Sequence, residues 1–137
     1  MILTRTSEYA FRILSYMATS DKELFSAKLL YENLHIPQRY LSRLLTDLTK
    51  VGLIKSNRGR NGGYYFGKDL YEIHLSDIID AVEGFESFNR CIIGKYQCDL
   101  DNPCPMHSIW AETKEKILNT LKNTTLADLR NKEIENL

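Results

Sequence analysis

Residues 26–67, SAKLLYENLHIPQRYLSRLLTDLTKVGLIKSNRGRNGGYYFG, contain two helix patterns and then two strand patterns, each with its own stop signal. Ser26 ahead of Ala27-Lys28-Leu29-Leu30 reads as the N-cap of a short helix running to about Asn33, because a serine oxygen accepts one of the free first-turn amides. His35-Ile36-Pro37 breaks that helix, and proline suits the first position of the next one, where its missing N–H would have no partner. Leu41, Leu44, Leu45 and Leu48 then recur at i, i+3, i+4 and i+7, the spacing of one buried helical face, and Gly52 is a natural residue to follow the helix end. Two helices joined by a short turn, the second carrying Gln38, Arg39, Tyr40, Ser42 and Arg43 near its start, make a helix-turn-helix candidate. Two strand-like runs follow, Leu53 to Asn57 and Gly63 to Gly67, around Arg58-Gly59-Arg60-Asn61-Gly62. Asn-Gly favours the positive φ of a tight hairpin turn, so this is a basic wing attached to a helix-turn-helix.

Working outward, Tyr9, Ala10, Ile13, Leu14 and Met17 recur at helical spacing and predict a first helix over about 7–19. Ser76 reads as the cap of a short helix over 77–83, closed by Gly84. A long helix is predicted from about Met106 to Leu121, with Trp110, Thr113, Ile117 and Leu121 in one stripe and Leu118 beside it. The tail holds a second cap-like run at 124–129, and its last residues read as frayed. The expected fold is mainly α with a small β-hairpin. A winged helix-turn-helix domain is expected over 1–84, a cysteine-rich loop over 85–106, and a dimerisation helix with its tail over 107–137. A complete winged-helix core leaves little within the subunit to cover that long stripe. Pairing with a symmetry mate would bury Trp110, Thr113, Ile117, Leu118 and Leu121, and would set two recognition helices about one DNA turn apart.

At 137 residues the chain is long enough for one domain with a real core. No apolar run approaches the ~20 residues needed to span a bilayer. The start, MILTRTSEYAFRILSYM, mixes arginines and a glutamate into its apolar stretch and has no small-residue cleavage site, so a cytoplasmic location without membrane association is expected. Net charge is zero, yet it is unevenly spread. From Gln38 to Lys68 there are seven bases (Arg39, Arg43, Lys50, Lys55, Arg58, Arg60, Lys68) against one acid, Asp47, while the C-terminal half is acidic. Local charge, not the sum, sets phosphate attraction. A charge run is usually a solvated face, but these arginines sit at the start of a recognition helix and at a hairpin tip, the two places where a winged helix meets DNA. Gln38, Arg39, Ser42 and Arg43 are the candidates for base edges, Arg58, Arg60, Asn61 and the amides of Gly59 and Gly62 for phosphate or minor groove, and Tyr40 for packing or phosphate.

All three cysteines lie in Cys91-IIGKYQ-Cys98-DLDNP-Cys104-PM-His107. Their odd number argues against a closed disulfide framework. Thiolates are soft charged ligands, and three in one polar loop point to a metal site more than to buried structural thiols. A structural zinc site prefers cysteine pairs two to four residues apart, and none occurs. The wider gaps favour a larger object, an iron–sulfur cluster. His107, three residues after Cys104, is a candidate fourth ligand. No nucleophile, base and orienting partner stand out as a set, so no enzymatic activity is expected.

Taken in order, these features resemble the bacterial winged-helix regulators typified by IscR and NsrR, which sense iron–sulfur status, nitric oxide or redox state. The stretches that correspond are residues 1–18, the helix around Tyr40-Leu41, the wing from Arg58 to Tyr64, and the loop of Cys91, Cys98 and Cys104 with His107 and Trp110. The resemblance implies a homodimer on a palindromic double-stranded operator, with one cluster per subunit held by the three cysteines. In one branch the fourth ligand is a histidine at the position of His107, holding a [2Fe–2S] cluster. In another it is a carboxylate near the N-terminus, supplied across the dimer; Glu8 occupies that place. Arg12, one turn on, stays protonated and cannot ligate. Two features depart from the pattern. The first cysteine gap is six residues where five is common, and Pro37-Gln38-Arg39-Tyr40-Leu41-Ser42-Arg43 differs from the serine- and glutamate-bearing helix of IscR, which implies another operator.

The expectation is a homodimeric regulator, a repressor, whose operator binding follows an iron–sulfur cluster, [2Fe–2S] ahead of [4Fe–4S]. Its rivals are the same DNA reader with a structural zinc or a thiol/disulfide switch, and a small iron–sulfur electron-transfer protein, which the wing argues against.

Overall fold

A computed structural model describes residues 3–84 and 105–136, with side chains through residue 131. Helix α1 (Arg5–Thr19) starts earlier than its apolar spacing implies, because Thr4 caps it: the Thr4 hydroxyl accepts the Ser7 N–H at 3.3 Å. One face of α1, with Ala10, Ile13, Leu14, Met17 and Ala18, is buried at the centre of the molecule. Helix α2 (Ala27–Leu34) is capped by Ser26, whose hydroxyl accepts the Leu29 N–H at 3.0 Å. Helix α3 (Gln38–Lys50) buries Leu41, Leu44, Leu45 and Leu48, the four leucines of its periodic face. Pro37 sits at the N-cap, one place before the position expected, and Gly52 follows the helix with φ +82°.

Strands β1 (Ile54–Asn57) and β2 (Gly63–Phe66) pair antiparallel from Ile54↔Phe66 to Asn57↔Gly63. A 3₁₀ turn (Leu70–Glu72) leads into α4 (Leu75–Val82). Ser76 is not the cap of α4. His74 holds that place, its N–H donating to the Asp77 carboxylate at 2.9 Å, so the acid three residues on selects the helix start rather than the serine.

Helix α5 (His107–Asn123) is followed at once by α6 (Leu126–Asn136) where the tail was expected to fray. Thr125 and Asp128 satisfy one another's amides at 2.9 and 3.2 Å, a reciprocal cap that starts α6. The α5–α6 corner is pinned to the chain ahead of α4: Leu75 N–H donates to Thr124 O at 2.9 Å, and Leu126 N–H to Ile73 O at 3.0 Å. Leu126 is fully buried in the same core as Ile13, Leu44 and Ile78, and α6 lies along α1. The C-terminal helix therefore closes the back of the winged-helix core.

Candidate nucleic-acid interface and ligand site

Burying the four leucines turns the opposite face of α3 to solvent, and Gln38, Arg39, Tyr40, Ser42 and Arg43 all stand on it. The wing tip presents Arg58, Gly59, Arg60 and Asn61, all exposed, and closes through the Gly62 N–H donating to Gly59 O at 3.0 Å. Among the described residues none of Arg39, Arg43, Arg58 and Arg60 is paired with a carboxylate. No described carboxylate neutralises their charge, which leaves it free for phosphate.

The wing is anchored at its base. Phe25, fully buried, exchanges backbone hydrogen bonds with Tyr64 at 2.9 and 2.7 Å, which ties β2 to the α1–α2 connection. Gly63 is required there: a Cβ on it would lie 2.6 Å from Phe25 O and 3.1 Å from Ser26 N, both backbone atoms. Tyr40 is half-exposed, and its ring meets Tyr9 of α1 edge-on at 5.8 Å. Of its two expected roles the structure shows packing.

Cys91, Cys98 and Cys104 lie outside the described residues, and among the described residues no three or more potential ligands gather. His107 is the first residue of α5 and is partly buried. Its Nδ1 is shielded from solvent and, among the described residues, has no hydrogen-bond partner. An unsatisfied buried nitrogen is uncommon and calls for an explanation, and a metal ligand is one. Glu8 lies in the first turn of α1, partly buried. A second carboxylate, Glu83, carries no local signal in the sequence. It accepts from the Ser7 hydroxyl at 2.6 Å and from the Thr4 hydroxyl, binding the end of α4 to the start of α1. Gly84 follows it, so the chain leaves for the cysteine segment from this point.

The stripe on α5 divides. Leu121, Ile117 and Leu118 pack against Ile79 and Leu75 of α4 and Phe11 of α1 in the same chain. The premise that little within the subunit covers this stripe is corrected for its C-terminal half, because α4 presents an apolar face of its own. Toward the start of the helix Trp110 is half-buried, Thr113 is exposed with its hydroxyl on Ile109 O at 3.1 Å, and Met106 and Ile109 are 38% and 61% exposed. No described helix is long and apolar enough to cross a membrane.

Comparison with known proteins agrees with this geometry. A family profile, Rrf2, described as "Iron-dependent Transcriptional regulator", matches residues 3–132. A protein of Aquifex aeolicus, named among the HTH-type transcriptional regulators, is 31% identical over all of this chain and 96% of its own length. The regulator IscR of Yersinia pseudotuberculosis is 40% identical over 94 residues, 69% of this chain, but the match spans only 57% of IscR. Among solved structures, CymR, the global cysteine regulator of B. subtilis, superposes with a TM-score of 0.79 at 25% identity, covering 94% of this chain and 95% of that one. With an outward basic recognition helix, an anchored wing and a family match over nearly its whole length, the chain belongs to the Rrf2 family and is a DNA-binding transcriptional regulator.

Proposed function

We propose that this regulator is a cytoplasmic homodimeric repressor of palindromic operators, controlled by an iron–sulfur cluster held by Cys91, Cys98 and Cys104. The observation that carries the cluster reading is His107 Nδ1, buried and without a partner among the described residues, three residues after Cys104. The donor set fits: three thiolates and an imidazole suit a [2Fe–2S] centre, with Glu8 supplied across a dimer as the alternative fourth ligand for a [4Fe–4S] one. When bound, such a group supplies electron exchange and reactivity toward nitric oxide.

The chain's own residues do the rest. Gln38, Arg39, Ser42 and Arg43 read base edges, while Arg58, Arg60, Asn61 and the amides of Gly59 and Gly62 hold phosphate. Residues 1–84 form the DNA-reading part, 85–106 the sensing segment, and 107–137 the part through which copies pair. In that pairing the exposed Met106–Ile109 end of α5, with Trp110 and Thr113, is the surface available to a second copy. Sensing needs only a modest coupling. A tenfold change in operator occupancy corresponds to ~1.4 kcal/mol.

The likeness to CymR favours a second reading, in which the same DNA reader responds to thiol chemistry without a cluster. Absorption spectroscopy with iron and acid-labile sulfide assays on anaerobically purified protein separates the two. Visible charge-transfer bands with about two irons and two sulfides per chain, lost in His107→Ala, are the expected result. Zinc in colourless protein, or metal-free protein whose DNA affinity follows disulfide formation, would refute the cluster.

A further inference from the structure

The turn of the helix-turn-helix is fastened on both sides by residues of α1. Helix α2 ends at Leu34, and His35 adopts the left-handed region, φ 54° and ψ 33°. The last carbonyls of a helix have no intrahelical donor. Here the Leu34 carbonyl accepts a hydrogen bond from Arg12 Nη2 at 2.7 Å. Only His35, Ile36 and Pro37 separate that carbonyl from α3, and Ile36 is fully buried. Beyond the turn, Tyr40 in the first turn of α3 meets the Tyr9 ring edge-on, with an interplanar angle of 65°. The two fastenings are joined, because the Arg12 guanidinium lies 5.7 Å from the centroid of that same Tyr9 ring.

We propose that Arg12 and Tyr9 are positioning residues for operator recognition, setting the direction in which α3 presents Gln38, Arg39, Ser42 and Arg43. The inference rests on the DNA-binding role of α3. Hydrogen bonds to base edges are short and directional, so a small rotation of α3 loses them. Attraction to phosphate is long-range and survives such a rotation. Loosening the clamp therefore lowers discrimination while sparing general DNA affinity. Arginine is needed because its planar fork can donate to the carbonyl while lying against the ring, which lysine's ammonium does not reproduce. On this assignment Tyr40 acts on DNA through Tyr9 rather than by touching phosphate.

The test uses the full-length protein, with a duplex that the wild type enriches from a randomised pool and an unrelated duplex of equal length. Fluorescence anisotropy is measured across a salt series. Arg12→Ala is expected to lose about tenfold on the enriched duplex, ~1.4 kcal/mol. On the unrelated duplex it should change less than about twofold, with the salt slope intact. Arg12→Lys should lose as much as Arg12→Ala although it keeps the charge, and Tyr9→Phe should match the wild type. Equal losses on both duplexes, with a salt slope lower by about one, would make Arg12 a phosphate contact and overturn the proposal. Wild-type affinity in Arg12→Lys or Arg12→Ala would also overturn it. Should Arg12→Ala not fold, Tyr9→Leu asks the same question: lost discrimination supports the clamp and full discrimination refutes it. A wild-type protein that enriches no sequence would overturn operator recognition and this proposal with it.

Discussion

Replacing Glu83 by alanine removes the acceptor of a buried hydroxyl. Ser7 is fully buried in the first turn of α1, and its hydroxyl donates to Glu83 Oε1 at 2.6 Å. An unsatisfied buried hydroxyl costs ~1–3 kcal/mol. The carboxylate also sits at the positive end of a 15-residue helix, worth ~0.3–1 kcal/mol at a partly exposed site. The Thr4 contact lies at the surface and adds nothing to this figure. Glu83→Ala should therefore destabilise by roughly 1.3–4 kcal/mol. Glu83→Gln keeps a carbonyl oxygen for Ser7 and should cost no more than about 1 kcal/mol. Ser7→Ala removes the donor and leaves a partly exposed carboxylate that water can serve, so its cost is also below about 1 kcal/mol. In the double variant the orphaned hydroxyl is gone. Its loss should fall short of the sum of the single losses by about 1 kcal/mol or more. Urea unfolding at constant m-value reads all four corners of this cycle. A cycle additive to within about 0.5 kcal/mol, or a Glu83→Ala variant as stable as the wild type, would refute the argument.

Three further outcomes follow from the same structure. Gly63→Ala drives a Cβ against the Phe25 and Ser26 backbone, should cost ~1–3 kcal/mol, and should expose the wing to limited proteolysis; an unchanged cleavage pattern would show that the anchor is dispensable. Leu126→Ala should cost ~2–5 kcal/mol in urea unfolding, and a loss below about 1 kcal/mol would show that α6 stands apart from the core. Arg60→Ala should weaken binding to all duplexes alike and lower the salt slope by about one, whereas Arg39→Ala should relax specificity at one base position by ~1–3 kcal/mol.

The parts of the fold legible in the sequence are those whose signals are local. Helix α3 is half-buried, so four leucines at helical spacing identify it, and the glycines around Arg60 mark the hairpin without reference to anything distant. Where long-range packing decides, local rules miss. Ser76 looks like a cap, but pairing of residues 73–75 with 124–126 fixes how the chain enters α4, and His74 takes the cap with Asp77. The cap-like run at 124–129 marks the start of α6 but not its extent, because Leu126 and Leu129 amount to an apolar face only against α1 and the core it completes. The stripe Ile117-Leu118-Leu121 was visible, but spacing cannot say whether α4 or a second copy covers it. The basic residues of α3 are exposed, since exposure of one face follows from burial of the other. Arg12 was legible only as a residue unable to ligate metal. Its contact with Leu34 spans 22 residues, and no periodicity encodes it.

In the proposed regulator, α1 is the element that joins the start of the cysteine segment to the recognition turn. Its N-terminus is tied by Glu83 to the point where that segment leaves the described fold. Its middle holds both sides of the recognition turn through Arg12 and Tyr9. Its buried face is packed in the core, so it can shift as a rod more readily than bend. The energy required is comparable with what one of these contacts holds. A tenfold change in operator affinity is ~1.4 kcal/mol, within the ~1–3 kcal/mol attached to the Ser7–Glu83 hydrogen bond alone. On the proposed control by the cysteine segment, displacing Glu83 from Ser7 is thus comparable in energy to the coupling that sensing needs.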